Sequence, residues 1–373
     1  MKITHIGSVL LQPFPWVLVK VETDAGITGI GEAYHGAGVH QIAVDPRLTR
    51  VLIGQDPRNI DKLFRDMMRA MSASGFYQGA VMSALSGIES ALWDILGQAL
   101  GVPIWQLLGG KFRDRIRLYN DCHAGADETP DAYVAKATEV EARGFTALKF
   151  DIDPLPTQRD LYNRAISNDD IAHYVEVVTA IRQSLNRNTD LAIDAHWFYA
   201  PVDILKVAHA FEDLNLLWLE DPIPPENVAA MSRVTGATRT PICTGENFYT
   251  RHGFRELIEN QGADIISPDL AKAGGLLEGR RIADLADLYY IPVAPHNIGS
   301  PIETIATCHV MAAVPNFLAL EFHHLDNPIW EGLINEGPLI EAGHITVPDR
   351  PGLGVTLNED TIRANLRENL GFI

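Results

Sequence analysis

Three stretches decide the architecture: Leu191-Ala192-Ile193-Asp194-Ala195-His196, Leu217-Trp218-Leu219-Glu220-Asp221 and Ile242-Cys243-Thr244-Gly245-Glu246-Asn247. Each is a short apolar run with an acid at its end. The acids recur at an interval of 26 residues, from Asp194 to Glu220 and from Glu220 to Glu246. Such an interval holds a strand, a loop, a helix and a return loop. The same unit continues on both sides. Ile116–Asn120, Ala147–Asp151, Ile265–Asp269, Ile291–His296 and Phe317–Glu321 bring the apolar runs with polar ends to eight. Eight strand-then-helix units predict an α/β chain with a (β/α)8-type TIM barrel, whose strand C-termini surround the active site. The longer interval from Asp151 to Leu191 reads as an embellished second loop and helix.

Outward from the barrel the pattern changes. Val17–Thr23 reads as a strand, Asp24-Ala25-Gly26 as a turn, and Thr28–Ala33 as an antiparallel return. Val81, Ala84, Leu85, Ile88, Leu92 and Ile95 recur at helical spacing within about Tyr77 to Leu100, and Gly101 with Pro103 ends that helix. Gly109-Gly110 separates this part from the repeats. The expected organisation is an N-terminal α+β capping domain over 1–115, the TIM-like barrel over 116–327, and a C-terminal segment, 328–373, that returns to the capping domain.

The chain has 373 residues and a net charge of −18. A charge of that sign, without a Lys/Arg run, argues against nucleic acid as a partner. No apolar run is long enough to span a bilayer, so no membrane partner is expected. Cys122, Cys243 and Cys308 are far apart and have no metal-ligand spacing. With no apolar leader and cleavage site after Met1, a cytoplasmic location is expected.

Three carboxylates at corresponding ends of successive strands converge on one barrel face. Their mutual repulsion raises their pKa values unless a cation neutralises them. Three oxygen ligands suit Mg²⁺, which completes an octahedron with water or substrate oxygens. Asp194, Glu220 and Glu246 are therefore the candidate ligands of one Mg²⁺ per subunit.

At these residues the sequence resembles the enolase superfamily. Ala192-Ile193-Asp194-Ala195-His196, Trp218-Leu219-Glu220-Asp221-Pro222 and Thr244-Gly245-Glu246-Asn247 look like its three ligand motifs. Ala84-Leu85-Ser86-Gly87-Ile88-Glu89-Ser90-Ala91-Leu92-Trp93-Asp94 looks like part of its capping domain. Members similar to mandelate racemase carry an Asp on strand six and a His on strand seven. Asp269 in Ser267-Pro268-Asp269 and His296 in Ala294-Pro295-His296-Asn297 match that dyad, and Glu321 matches an acid on strand eight. The resemblance implies a carboxylate substrate, a proton removed from its adjacent carbon, and an enediolate stabilised by the cation.

Two further residues narrow the chemistry. Relatives with Lys-x-Lys on strand two use its second Lys as a base, whereas this chain has Lys149-Phe150-Asp151, which weakens a two-base racemisation. His196 stands two residues after Asp194 and so faces the same side of its strand. Asp-x-His at the end of strand three resembles the acid sugar dehydratases, the mannonate and galactonate dehydratases among them. The implied reaction is dehydration of an aldonate to a 2-keto-3-deoxy acid. His296 is the base, Asp269 its support, His196 the acid for the departing hydroxyl and Glu321 a hydrogen-bond partner of the enediolate. Lys149 is a further catalytic or substrate-binding candidate, and Asn120, His123 and Asp151 are candidate substrate contacts. Tyr34, His35 and His40 lie in a candidate loop over the barrel, whereas His323 and His324 show no ligand spacing. An acid sugar is the expected partner, and a homo-oligomer the expected assembly. The alternatives are a racemase, epimerase or cycloisomerase on the same scaffold, or a barrel that binds metal and ligand without catalysis.

Overall fold

The computed structural model describes residues 1–75, 77–125, 129–152 and 165–367. The chain opens with a three-stranded antiparallel sheet, β1 (Ile3–Leu10), β2 (Val17–Thr23) and β3 (Thr28–Ala33), in that order. β2 and β3 occupy the stretches predicted from the turn at Asp24-Ala25-Gly26, while β1 had no signal of its own. The helix Gly79–Leu100 lies across this sheet and is buried from Val81 to Ile95 on every side. It ends at Gly101, in the left-handed conformation, as the Gly/Pro stop implies.

The barrel follows. Its strands are β4 (Arg115–Cys122), β5 (Ala147–Asp151), β6 (Asp190–Asp194), β7 (Trp218–Glu220), β8 (Ile242–Thr244) and β9 (Ile265–Ile266), each parallel to the next. The seventh position is reduced to a parallel bridge at Val293, linked to Ile266 on one side and Phe317 on the other. β10 (Leu320–Phe322) then pairs with β4 and closes the ring. Among the described residues seven helices alternate with these strands: Pro130–Ala142, Asn168–Ser184, Pro201–Phe211, Val228–Thr235, Thr250–Glu259, Gly275–Asp287 and Pro301–Ala313. The (β/α)8-type architecture is as expected, with one difference at its end. Among the described residues no barrel helix follows β10. Instead the chain forms a hairpin, β11 (Ile340–Glu341) and β12 (His344–Thr346), whose second strand pairs antiparallel with the lower half of β4. It then reaches the capping sheet, where Leu366 bridges Leu11. Among the described residues no helix is long and apolar enough to cross a membrane.

Strand alternation builds the barrel interior in layers. Tyr119, Ala147, Ala192, Trp218, Cys243, Ile265, Ala294 and Ala319, one from each strand position, form a separate buried cluster on the barrel axis. Two residues further along a strand, the side chain again points inward. That step gives Asp121, Lys149, Asp194, Glu220, His296 and Glu321. The period of two places an apolar floor directly beneath a charged layer.

Buried carboxylates of the capping domain fix it to the barrel. Glu32 accepts from Ser300 N and Glu303 N, at 2.9 and 3.0 Å, at the start of the helix Pro301–Ala313. Glu89 accepts from Leu276 N and Leu277 N, at 2.8 and 3.1 Å, at the start of Gly275–Asp287. Helix N-termini present unpaired N–H groups and a positive partial charge, which suits a carboxylate. Asp94 accepts from Ile30 N and Leu353 N and so ties β3 to the C-terminal segment. Burial outweighs these bonds in all three, raising Glu32 and Glu89 to about 7 and Asp94 to about 6.

The sheet and the long helix approach so closely that the contact admits no side chain. A Cβ at Gly31 would collide with the Gly87 carbonyl, and one at Gly87 would lie 2.7 Å from Ala33 N. Backbone cannot yield there as a flexible side chain would. Gly31→Ala is expected to cost roughly 1–3 kcal/mol through overpacking, read as a lower denaturation midpoint at unchanged slope. A midpoint equal to wild type would mean the sheet and helix separate freely.

Candidate active site

The charged layer is organised around one ammonium group. Lys149, 2 % exposed, lies 2.7 Å from Glu321 Oε1, 3.0 Å from Asp194 Oδ2 and 3.4 Å from Glu220 Oε2. Burial alone would lower its pKa, but Glu220, Glu321 and Asp194 overcome that and hold the ammonium well above the ordinary lysine value. The reverse effect is seen at Asp194, which burial would raise and which Lys149 and His196 instead hold below the usual carboxylate range. At Glu220 burial prevails despite Lys149, with Asp194 and Glu321 adding repulsion, and the carboxyl is pushed well up.

The three expected metal ligands sit at the same mouth but do not form one tight group. Glu220 and Glu246 cluster with Asp221, while Asp194 clusters with Asp151 and His196; Lys149 stands between Asp194 and Glu220. Among the described residues Glu220 Oε1 and Asp221 Oδ2 are buried without a hydrogen-bond partner. Burial, Glu246 and Asp194 push Asp221 well above its usual range. A buried, oxygen-only donor set with orphaned oxygens fits a hard dication.

Two histidines flank this set. At the Glu246 end, His296 Nε2 is 3.1 Å from Glu246 Oε2 and 3.8 Å from Glu321 Oε2. Its Nδ1 is 2.8 Å from Asp269 Oδ2, whose other oxygen accepts from Lys272 N at 3.0 Å. Burial would lower the His296 pKa, yet Glu246, Glu321 and Asp269 together raise it to about 10. At the Asp194 end, His196 Nε2 is 3.7 Å from Asp194 Oδ2, and His196 N donates to Asp194 Oδ1 at 2.9 Å. His196 has a φ of 42°, so the chain turns sharply as it leaves β6.

Glu321 is positioned by Asn297 N, which donates to its Oε2 at 2.9 Å. Asp151 lies beside Asp194 and is pushed well up by burial and by Asp121 and Asp194. His123 Nδ1 is 3.8 Å from Asp151 Oδ2. Asn120, expected among the substrate contacts, instead donates its amide to the Phe322 carbonyl at 2.8 Å and joins β4 to β10. Of the loop residues, Tyr34 reaches the site: its ring centroid is 6.4 Å from that of His296, and Lys272 Nζ lies 4.5 Å over it. The His35 ring lies against Tyr34 at a tilt, with centroids 4.0 Å apart. His40 does not reach the site; it is buried in the helix Ala37–Ala43 and bonded to Ser8 Oγ.

Sequence reading passed over Asp221, Asn297, Asp121 and His323. Asp121 had a signal, since it follows Tyr119 by two residues on one strand face. His323 had none along the chain, because its partners Asp121 and His123 lie at and just past the end of β4, brought beside β10 only by ring closure.

Comparison with known proteins identifies the family. Residues 3–109 match the mandelate racemase/muconate lactonizing enzyme N-terminal domain, and residues 132–361 match the enolase C-terminal domain-like family. A D-xylonate dehydratase of Haloferax volcanii is 46 % identical over 370 residues, 98 % of this chain and 89 % of that protein. A D-galactonate dehydratase of Xanthomonas campestris is 34 % identical over 98 % of this chain and 94 % of its own. The crystal structure of a mandelate racemase/muconate lactonizing enzyme-like protein from Rubrobacter xylanophilus superposes with a TM-score of 0.95 at 42 % identity, over 100 % of this chain and 99 % of that one. The chain belongs to the mandelate racemase/muconate lactonizing enzyme family of the enolase superfamily.

Proposed function

We propose that this protein is a Mg²⁺-dependent hydro-lyase that dehydrates a sugar acid, an aldonate, to a 2-keto-3-deoxy acid. The observation that carries this reading is the placement of two chemically distinct histidines at opposite ends of one carboxylate set. His296, backed by Asp269, stands at the Glu246 end, and His196 at the Asp194 end. The sugar acid dehydratases among the relatives support the substrate class.

Asp194, Glu220 and Glu246 would hold the cation, with Asp221 beside them. A dication there would polarise the substrate carboxylate and offset the negative field around His296. His296 Nε2 takes the C2 proton, while its Nδ1–H donates to Asp269, which fixes the tautomer and stabilises the imidazolium. His196 gives a proton to the C3 hydroxyl as its C–O bond breaks, and water leaves. Glu321, held by Asn297 N and Lys149, borders the position where negative charge develops on the substrate. The resulting enol takes a proton at C3 and becomes the 2-keto acid. Asp151, where a second strand-two lysine would supply an opposing base, leaves the reaction with one base and one acid.

With Mg²⁺ present, D-xylonate, D-gluconate and D-galactonate lead the panel to be assayed for 2-keto-3-deoxy products. His296→Asn is expected to lower kcat by about 10²–10⁴-fold. His196→Asn is expected to lose dehydration while still exchanging the C2 hydrogen with D₂O, because only the departure of hydroxide is impaired. No keto acid from any aldonate, together with C2 exchange in the wild-type protein, would overturn dehydration in favour of isomerisation.

Lys149→Met removes the one cation shared by Asp194, Glu220 and Glu321. Breaking a buried ion pair costs about 3–5 kcal/mol, so this variant is expected to melt well below wild type in EDTA. Mg²⁺ should raise its Tm more than it raises that of wild type. Equal Mg²⁺ shifts in both proteins would show that Lys149 and the cation do not neutralise the same carboxylates.

A further inference from the structure

A second group of donor atoms lies at the barrel mouth, where β4 meets β10. His323 Nδ1 is 2.9 Å from Asp121 Oδ2, and His323 Nε2 is 3.4 Å from His123 Nε2. Donor atoms of Asp121, His123 and His323 all lie within 4.8 Å of one another. We propose that these three residues form a binding site for one transition-metal dication of the zinc class, separate from the carboxylate site.

Three observations carry the proposal. The first is spacing: two nitrogens each 2.0–2.1 Å from a tetrahedral Zn²⁺ stand about 3.4 Å apart, the separation found between the two imidazoles. The second is orientation. The Asp121 carboxylate accepts from His323 Nδ1–H, which leaves the lone pair of His323 Nε2 directed at His123, as in carboxylate–histidine–metal arrangements. The third is Asp121 itself. It is 9 % exposed, and its Oδ1 is buried without a hydrogen-bond partner among the described residues. Burial would raise its pKa, but Lys149 and His323 overcome that and keep it ionised, well below the usual range. Two imidazole donors, with the carboxylate behind one of them, select zinc-class ions over Mg²⁺, so the two sites divide by donor chemistry. The site is also reachable from solvent, since the His123 and His323 side chains are 52 % and 23 % exposed.

The test counts metal and needs no turnover, so it stands or falls apart from the dehydratase reading. The protein is saturated with Mg²⁺, titrated with Zn²⁺, and the retained zinc is counted after dialysis against Mg²⁺ buffer. Wild type should keep one equivalent that His123→Ala and His323→Ala lack. Replacing Zn²⁺ by Co²⁺ should give the intense visible absorption of a tetrahedral site in wild type only. On the wild-type protein alone, Zn²⁺ should protect His123 and His323 from carbethoxylation while exposed His5 continues to react, which answers the question even if a variant fails to fold. Equal zinc in wild type and both variants, or unprotected His123 and His323, would overturn the site and leave a plain imidazole–imidazole hydrogen bond.

Discussion

The active face depends on the Lys149 ammonium and the carboxylates that surround it. Acids buried together repel and are driven toward protonation, and an isolated buried lysine is driven toward neutrality. Placed within 3.4 Å of Asp194, Glu220 and Glu321, the lysine remains charged and the acids remain close. The excess of acid over base is retained by the geometry: Glu220 and Asp221 are still pushed upward, and their orphaned oxygens mark where further positive charge is stabilising. One buried cation therefore makes the layer foldable without saturating it.

That layer is precise because it rests on a packed floor. The axial cluster from Tyr119 to Ala319 sets two large aromatic rings among smaller side chains, with Tyr119 and Trp218 meeting edge to face. Each residue two positions further is then held at a defined height by the parallel pairing of the strands and of the bridge at Val293. The capping domain is positioned by a different device with the same physics. Glu32 sits on the N-terminus of the helix that begins five residues after His296, and Tyr34 follows Glu32 by two residues. Docking that carboxylate brings the Tyr34 ring over Lys272 and toward His296. Glu89 and Asp94, both within the stretch that resembles the family's capping domain, make the other two attachments. The residues of that stretch thus serve assembly, while those of the barrel repeats serve chemistry.

The barrel was legible because its period is written along the chain: a strand and a helix need a nearly constant number of residues, so Asp194, Glu220 and Glu246 declare their equivalence by spacing. The capping helix was legible by its own periodicity and its glycine stop. Contacts made by closure were not. β10 lies beside β4 although some two hundred residues separate Asp121 from His323, and no local pattern encodes that neighbour. That no barrel helix follows β10 among the described residues has the same origin, since the C-terminal segment pairs β12 with β4 there. Asn120 and His40 were misleading in another way. Both are polar residues at suggestive positions, but each is buried and engaged by a hydrogen bond, to the Phe322 carbonyl and to Ser8. Burial depends on tertiary neighbours and not on residue type.

The replacement of a second strand-two lysine by Asp151 has a consequence for the direction of the chemistry. A lysine at that height would face Asp194 and His196 and could remove a proton from the substrate face opposite His296. A carboxyl there, pushed upward by burial and by Asp121 and Asp194, stands beside Asp194 and His196 without supplying a lysine's base. The two ends of the ligand set are then unequal. On the proposed reading, a cation held at Glu246 would release His296 from part of its carboxylate field and suit it to the role of base. His196, beside Asp194 and Asp151, suits the role of acid. A site polarised in this way abstracts at one carbon and expels hydroxide at the next, whereas racemisation needs both ends to exchange the same proton. On the proposed reading, the single change from lysine to aspartate two residues beyond Lys149 turns a symmetric scaffold into a directional one.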